Sequence, residues 1–80
     1  HFLLIPTLHI GSLTEIQDHH QNLVGKMLLL ASRLAKEQGC DDGFRTIINT
    51  GRVGGQEVQH LHFHIIGGRE RLPGMIHHQG

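Results

Sequence analysis

The stretch QHLHFHIIGG, residues 59–68, sets His60, His62 and His64 at every second position among Leu61, Phe63, Ile65 and Ile66. A period of two is that of a β-strand, in which successive side chains leave opposite faces. The three imidazoles then share one face at a spacing of about 6.5–7 Å, and Leu61, Phe63 and Ile65 share the other. The chain must therefore build a sheet with one covered face. Strand packing alone gives no reason for a ridge of titratable rings on the opposite face.

The rest of the sequence supplies the cover. His1 to Ile5 is an apolar, partly β-branched run that Pro6 stops, because proline has no N–H to give a ladder. Residues 9–17 read as a connector with one helical turn, since Ser12 and Glu15 have capping-box spacing. Asp18 caps a helix in which Leu23, Val24, Met27, Leu30, Ala31, Leu34 and Ala35 recur at three and four, and Gly39 ends it. After CDDG, Phe44 to Asn49 is β-like and stops at Gly51, and the glycine-rich loop GRVGGQE leads into the histidine strand. Strand, helix, strand, strand predicts an α+β fold, an antiparallel sheet with the long helix packed on one face. Phe2, Phe44 and Phe63 read as packing residues.

Residues 1–80 make one domain, and a chain this short buries only about 60–65% of its unfolded surface. It opens on His1 and runs at once into a strand, which reads as a domain lacking its N-terminal part, with the C-terminal two thirds or so in hand. Seven basic and seven acidic residues argue against a nucleic-acid partner. The longest apolar stretch, within Met27 to Ser32, is too short for a bilayer, so no membrane partner is expected. A single Cys40 has no intramolecular disulfide partner, which predicts a cytoplasmic location, and it reads as a small packing residue. Nine histidines are the compositional outlier. The pairs His19-His20 and His77-His78 have polar neighbours and read as solvated.

Three readings of the ridge compete. It is a solvated strand face; or two of its rings hold a metal such as zinc; or it is a nucleophilic relay acting on phosphorus. Three rings along one strand span about 13 Å, awkward for joint ligation of one ion. An imidazole with an ordinary pKa of about 6.5 is largely neutral at pH 7, and a neutral ring nitrogen is a nucleophile. The loop before the strand suits an anion. Gly51, Gly54 and Gly55 let the backbone approach it, and the N–H groups of Gln56, Glu57 and Val58 form a nest. Such a loop is also an ordinary turn between strands.

HLHFHII matches His-x-His-x-His followed by two apolar residues and resembles the signature of the histidine triad family of nucleotide hydrolases and transferases. GGR after it, INTGRVGGQEVQ before it, the opening HFLLIP and the long helix resemble the Hint branch, particularly its bacterial members, across essentially all 80 residues. The resemblance implies the histidine triad fold, a homodimer sharing a continuous sheet, and binding of purine nucleoside monophosphates such as AMP. The implied activity is that of a purine nucleoside phosphoramidase, splitting the P–N bond of a purine nucleoside 5′-phosphoramidate without cofactor or metal. A nucleotidyl transferase, a dinucleoside polyphosphate hydrolase and a non-catalytic nucleotide-binding scaffold are the alternatives.

By matching motif position, His62 would be the nucleophile forming a nucleotidyl-imidazole. His64 would bond the phosphate and the leaving amide. The His60 ring would hold the nucleophile's tautomer. His1 aligns with a fourth family histidine completing this relay. Asn49 would meet the phosphate or ribose, and Gly55 with the backbone of Gln56 and Val58 the phosphate oxygens. Glu57 stands where some Hint proteins have serine, and would protonate or orient the departing amine. His9 also aligns with a family histidine but reads as structural or solvated. The tail from Glu70 to Gly80 resembles the segment that reaches the partner subunit's active site. Residues that sandwich the base and grip the ribose lie mainly upstream of His1 in this family.

Overall fold

The computed structural model describes residues 1–74; the His77-His78 pair and the end of the tail lie outside the described residues. The elements are β1 (Phe2–Leu4), α1 (Gln21–Glu37), β2 (Arg45–Ile47) and β3 (Phe63–Ile66). β3 is central and antiparallel to both neighbours, in the order β1-β3-β2. The order and type of the elements follow the hydrophobic pattern. The strands, however, are shorter than the apolar runs predict.

Each strand ends for a local reason. β1 pairs Phe2 with Ile65, Leu3 with His64 and Leu4 with Phe63. Continued, that register would set Pro6, which has no N–H, opposite Leu61. The Leu61 N–H instead donates to the Ile10 carbonyl at 2.6 Å. β2 stops after Ile47, which pairs with His64, because the chain then turns into the glycine loop. Only His64 of the three alternating histidines therefore lies in the paired strand. The alternation still persists, since Leu61, Phe63 and Ile65 are buried while His60, His62 and His64 are half-buried.

Two short 3-10 turns precede α1. In the first, Leu13–Glu15, Ser12 Oγ accepts from the Thr14 N–H at 3.2 Å. Glu15 departs from the expected capping box: its carboxylate accepts from the Gly11 N–H at 2.6 Å. The second, Asp18–His20, takes the place expected for the helix cap at Asp18, and the Gln17 N–H donates to His20 Nδ1 at 3.0 Å. At its other end α1 closes as the sequence implies. Gly39 has φ 88°, its N–H donates to the Lys36 carbonyl, and the Cys40 N–H donates to the Ala35 carbonyl at 2.9 Å. These two bonds form a Schellman motif, which a glycine in the left-handed region permits.

Met27, Ala31 and Ala35 of α1 pack with Ile10, Leu61, Phe63 and Ile65, and Phe2, Leu4, Leu23, Val24, Cys40 and Ile48 surround them. The alanines let the helix axis approach the sheet, because interaxial distance is set by the side chains at the contact. Phe63, 0% exposed, is the centre of this core, and burying such a side chain contributes about 1.5–3 kcal/mol. Three expected core residues fall outside it, among them the half-buried Leu34. Leu30 is 37% exposed at the margin of the helix stripe, and Phe44, 36% exposed, lies before β2 begins. Among the described residues no helix is long and apolar enough to cross a membrane.

Candidate active site

The sheet face turned away from α1 carries the histidines. His64 sits on β3 between Leu3 and Ile47. His62 is two residues upstream, and the two rings lean together at a centroid distance of 5.0 Å, edge to face. That is closer than the bare two-residue spacing of a strand, about 6.5–7 Å. His1 joins them from the start of β1, its Nε2 lying 3.1 Å from His64 Nδ1. Of two imidazole nitrogens in such contact, one donates and the other accepts.

His62 Nδ1 lies 2.7 Å from the carbonyl oxygen of His60. A carbonyl only accepts, so Nδ1 carries the proton and a neutral ring keeps its lone pair on Nε2. The expected tautomer control thus comes from the main chain of His60 and not from its ring. That ring turns elsewhere: His60 Nε2 donates to the Pro6 carbonyl at 3.1 Å, and the exposed His9 ring meets it edge-on at 4.9 Å. The chain bends over residues 58–60, just ahead of this contact.

The glycine loop stands beside this row. Residues 51–55 form its turn; the Gly54 N–H donates to Thr50, the Gly55 N–H to Arg52 and the Gln56 N–H to Gly51, the last at 2.9 Å. A Cβ on Gly54 would collide with the Thr50 carbonyl oxygen, so the turn needs glycine there. Asn49 Nδ2 donates to the Gly54 carbonyl at 2.8 Å, bracing the loop from the end of β2. The expected nest is therefore smaller than three amides. The Gln56 N–H is used inside the turn, and of the three expected amides this leaves those of Glu57 and Val58, both exposed residues, as candidates.

The Gln56 side chain, 8% exposed, was not visible as a structural hub in the sequence. Its Oε1 accepts from the Gly51 N–H at 2.9 Å, and Nε2 donates to the carbonyls of Gly11 at 2.6 Å and Val58 at 2.9 Å. The Pro6, Ile10 and Gly11 carbonyls, all in the segment after β1, thus hold His60, Leu61 and Gln56 in turn. Residue spacing does not show which carbonyls a loop presents.

Among the described residues no three His, Cys, Asp or Glu side chains gather to hold a metal ion. Of two concavities in the described residues, one of about 360 Å³ opens beside His1, Cys40 and Gly67, and one of about 410 Å³ is lined by residues 42–45 and 67–72. Neither includes His60, His62 or His64, which lie along an open face of the sheet.

Comparison with known proteins agrees with this frame. The family model described as HIT domain matches residues 1–71. The chain is 55% identical to Protein HitA of Neisseria gonorrhoeae over 67 residues, covering 84% of this chain and 63% of that protein. It is 41% identical to purine nucleoside phosphoramidase of Escherichia coli (strain K12) over 81 aligned positions, covering 100% of this chain and 67% of that protein. Among solved structures, a histidine triad protein from Clostridium difficile superposes with a TM-score of 0.83 at 44% identity, covering 90% of this chain and 63% of that one. The chain thus spans about two thirds of the length of the relatives it matches. With the family model matched over residues 1–71 and the alternating histidines set on an antiparallel sheet backed by one long helix, the chain belongs to the HIT domain family and has the histidine triad fold.

Proposed function

We propose that this chain carries the catalytic residues of a purine nucleoside phosphoramidase, a hydrolase that splits the P–N bond of purine nucleoside 5′-phosphoramidates. The observation that supports this most directly is the 2.7 Å contact of His62 Nδ1 with the His60 carbonyl. It leaves the Nε2 lone pair as the free nucleophile, in one tautomer, before any substrate arrives. The 41% identity to a purine nucleoside phosphoramidase supports the choice of bond.

In the proposed reaction Nε2 of His62 attacks phosphorus, the N–P bond to His62 forms, and the bond to the amine breaks. The departing nitrogen takes a proton from His64 or Glu57 and leaves as the amine. Water then attacks the nucleotidyl-imidazole, giving its proton to the group that had protonated the amine, and the P–N bond to His62 breaks to release the nucleoside monophosphate and restore the ring. His64 bonds the phosphate through its Nε2, while its Nδ1 is engaged by His1 at 3.1 Å. The amides of Glu57 and Val58 meet the phosphate oxygens, with Gly55 allowing close approach. Asn49 holds the loop that presents them. No metal or other cofactor enters these steps. The working protein is a cytoplasmic homodimer, with AMP or GMP as product.

The test is turnover of adenosine 5′-phosphoramidate by the full chain with chelator present. His62→Ala is expected to lower turnover by about 10⁴-fold or more while far-UV circular dichroism stays unchanged. Undiminished turnover in that variant contradicts the assignment. Faster cleavage of diadenosine polyphosphates than of the P–N bond moves the activity to a dinucleotide hydrolase.

A further inference from the structure

We propose that the side-chain amide of Gln56 is a positioning residue: it ties the glycine loop to the segment entering His62 and so fixes where the Glu57 and Val58 amides meet the phosphate. This rests on the phosphoramidase reading and names a determinant of its phosphate site.

The amide is held in one orientation by its partners. Two carbonyl oxygens, Gly11 and Val58, face one end and can only accept; the Gly51 N–H faces the other and can only donate. All three therefore require nitrogen towards Gly11 and Val58 and oxygen towards Gly51. The main chain reinforces the last contact, because the Gln56 N–H donates back to the Gly51 carbonyl at 2.9 Å. Residues 51–56 are closed into a ring by this reciprocal pair.

The other end of the side chain reaches outside the ring. The bond to Val58 fixes the peptide two residues on, and the bond to Gly11 anchors the loop to the segment after β1. That segment also accepts from the Leu61 N–H and the His60 ring, and its Gly11 N–H is held in turn by Glu15. Exposed residues 57–59 are thus suspended between Gln56 on one side and His60 and Leu61 on the other. Nothing in the volume of the site demands a polar side chain, since an apolar one of equal length fills the same space. What demands an amide is the pattern of one donor and two acceptors around it. Removing its polarity takes this partner from the buried Gly11 carbonyl and the part-buried Gly51 and Val58 groups, and frees residues 57–59 to shift against His62.

The experiment compares Gln56→Met and Gln56→Glu with wild type in the full chain. It reads kcat and KM for adenosine 5′-phosphoramidate, affinity for AMP, and thermal unfolding. Gln56→Met is expected to fold and to lose about 10- to 100-fold in kcat/KM, as a displacement of about 1 Å in a binding group does, with AMP affinity falling alongside. Gln56→Glu sets a carboxylate against two carbonyls at pH 8. Protonation restores one donor, so its activity relative to wild type is expected to rise at least about fivefold between pH 8 and pH 5.5. Glu15, Glu57 and the histidines are common to both proteins, so their contributions cancel in that ratio. Values within twofold of wild type in Gln56→Met, or a flat ratio in Gln56→Glu, overturn the positioning role. A variant with no unfolding transition assigns Gln56 to folding and also overturns it. Wild type that binds AMP without turnover refutes the phosphoramidase reading instead, and AMP affinity in Gln56→Met then decides the role of Gln56.

Discussion

At 2.7 Å from the His60 carbonyl, His62 Nδ1 can only donate, and a neutral ring keeps its lone pair on Nε2, the nitrogen proposed as nucleophile. His64 has a comparable fixed partner in His1 at 3.1 Å. A hydrogen bond of this kind contributes about 1 kcal/mol, which corresponds to roughly a fivefold change in rate if it is realised only in the reacting arrangement. His1→Phe, which keeps a ring but removes the bonding nitrogens, is therefore expected to lower kcat about five- to tenfold with little change in KM; steady-state kinetics checks it. Alternation made the shared face of His60, His62 and His64 legible in the sequence, and family resemblance brought His1 to them. It did not show that His60 works through its main chain. That depends on a bend over residues 58–60 and on the Pro6 carbonyl 54 positions away, which no local pattern encodes.

The elements were legible in kind and order because periodicity reports burial, and burial decides what packs. Their ends were less so. β3 reads as a strand from residue 59 onward, yet pairing begins at Phe63, since Pro6 and the turn after Ile47 withdraw both neighbours. The glycine loop shows the same limit: its composition announced a turn, while its bonding pattern decided which amides stay available. Gly54→Ala tests that turn. The added Cβ meets the Thr50 carbonyl oxygen, a backbone atom with little freedom to move, and the Gly54 carbonyl also anchors Asn49. The substitution is expected to cost about 1–3 kcal/mol in urea unfolding and to raise KM more than it lowers kcat. An unchanged midpoint and KM would mean the loop has another conformation of equal energy.

At the scale of the whole molecule, one helix covers one face of a three-stranded sheet, and the histidine row lies on the other face, with His64 paired to both neighbouring strands. The α+β architecture was readable because a chain with one amphipathic helix and three apolar runs has few other ways to bury Phe63, Leu61 and Ile65 together. A base and ribose pocket was not readable, and neither of the two concavities described among residues 1–74 is lined by the alternating histidines. The chain spans about two thirds of its relatives' length, and the proposed chemistry therefore belongs to the full chain. The most direct test of that chemistry is to mix the full chain with adenosine 5′-phosphoramidate and chelator, quench within one turnover, and map the adduct by mass spectrometry. An adenylyl group on His62, formed and lost at the rate of turnover, is the expected result. Turnover with no adduct on His62, or with the adduct on another residue, would contradict the proposal.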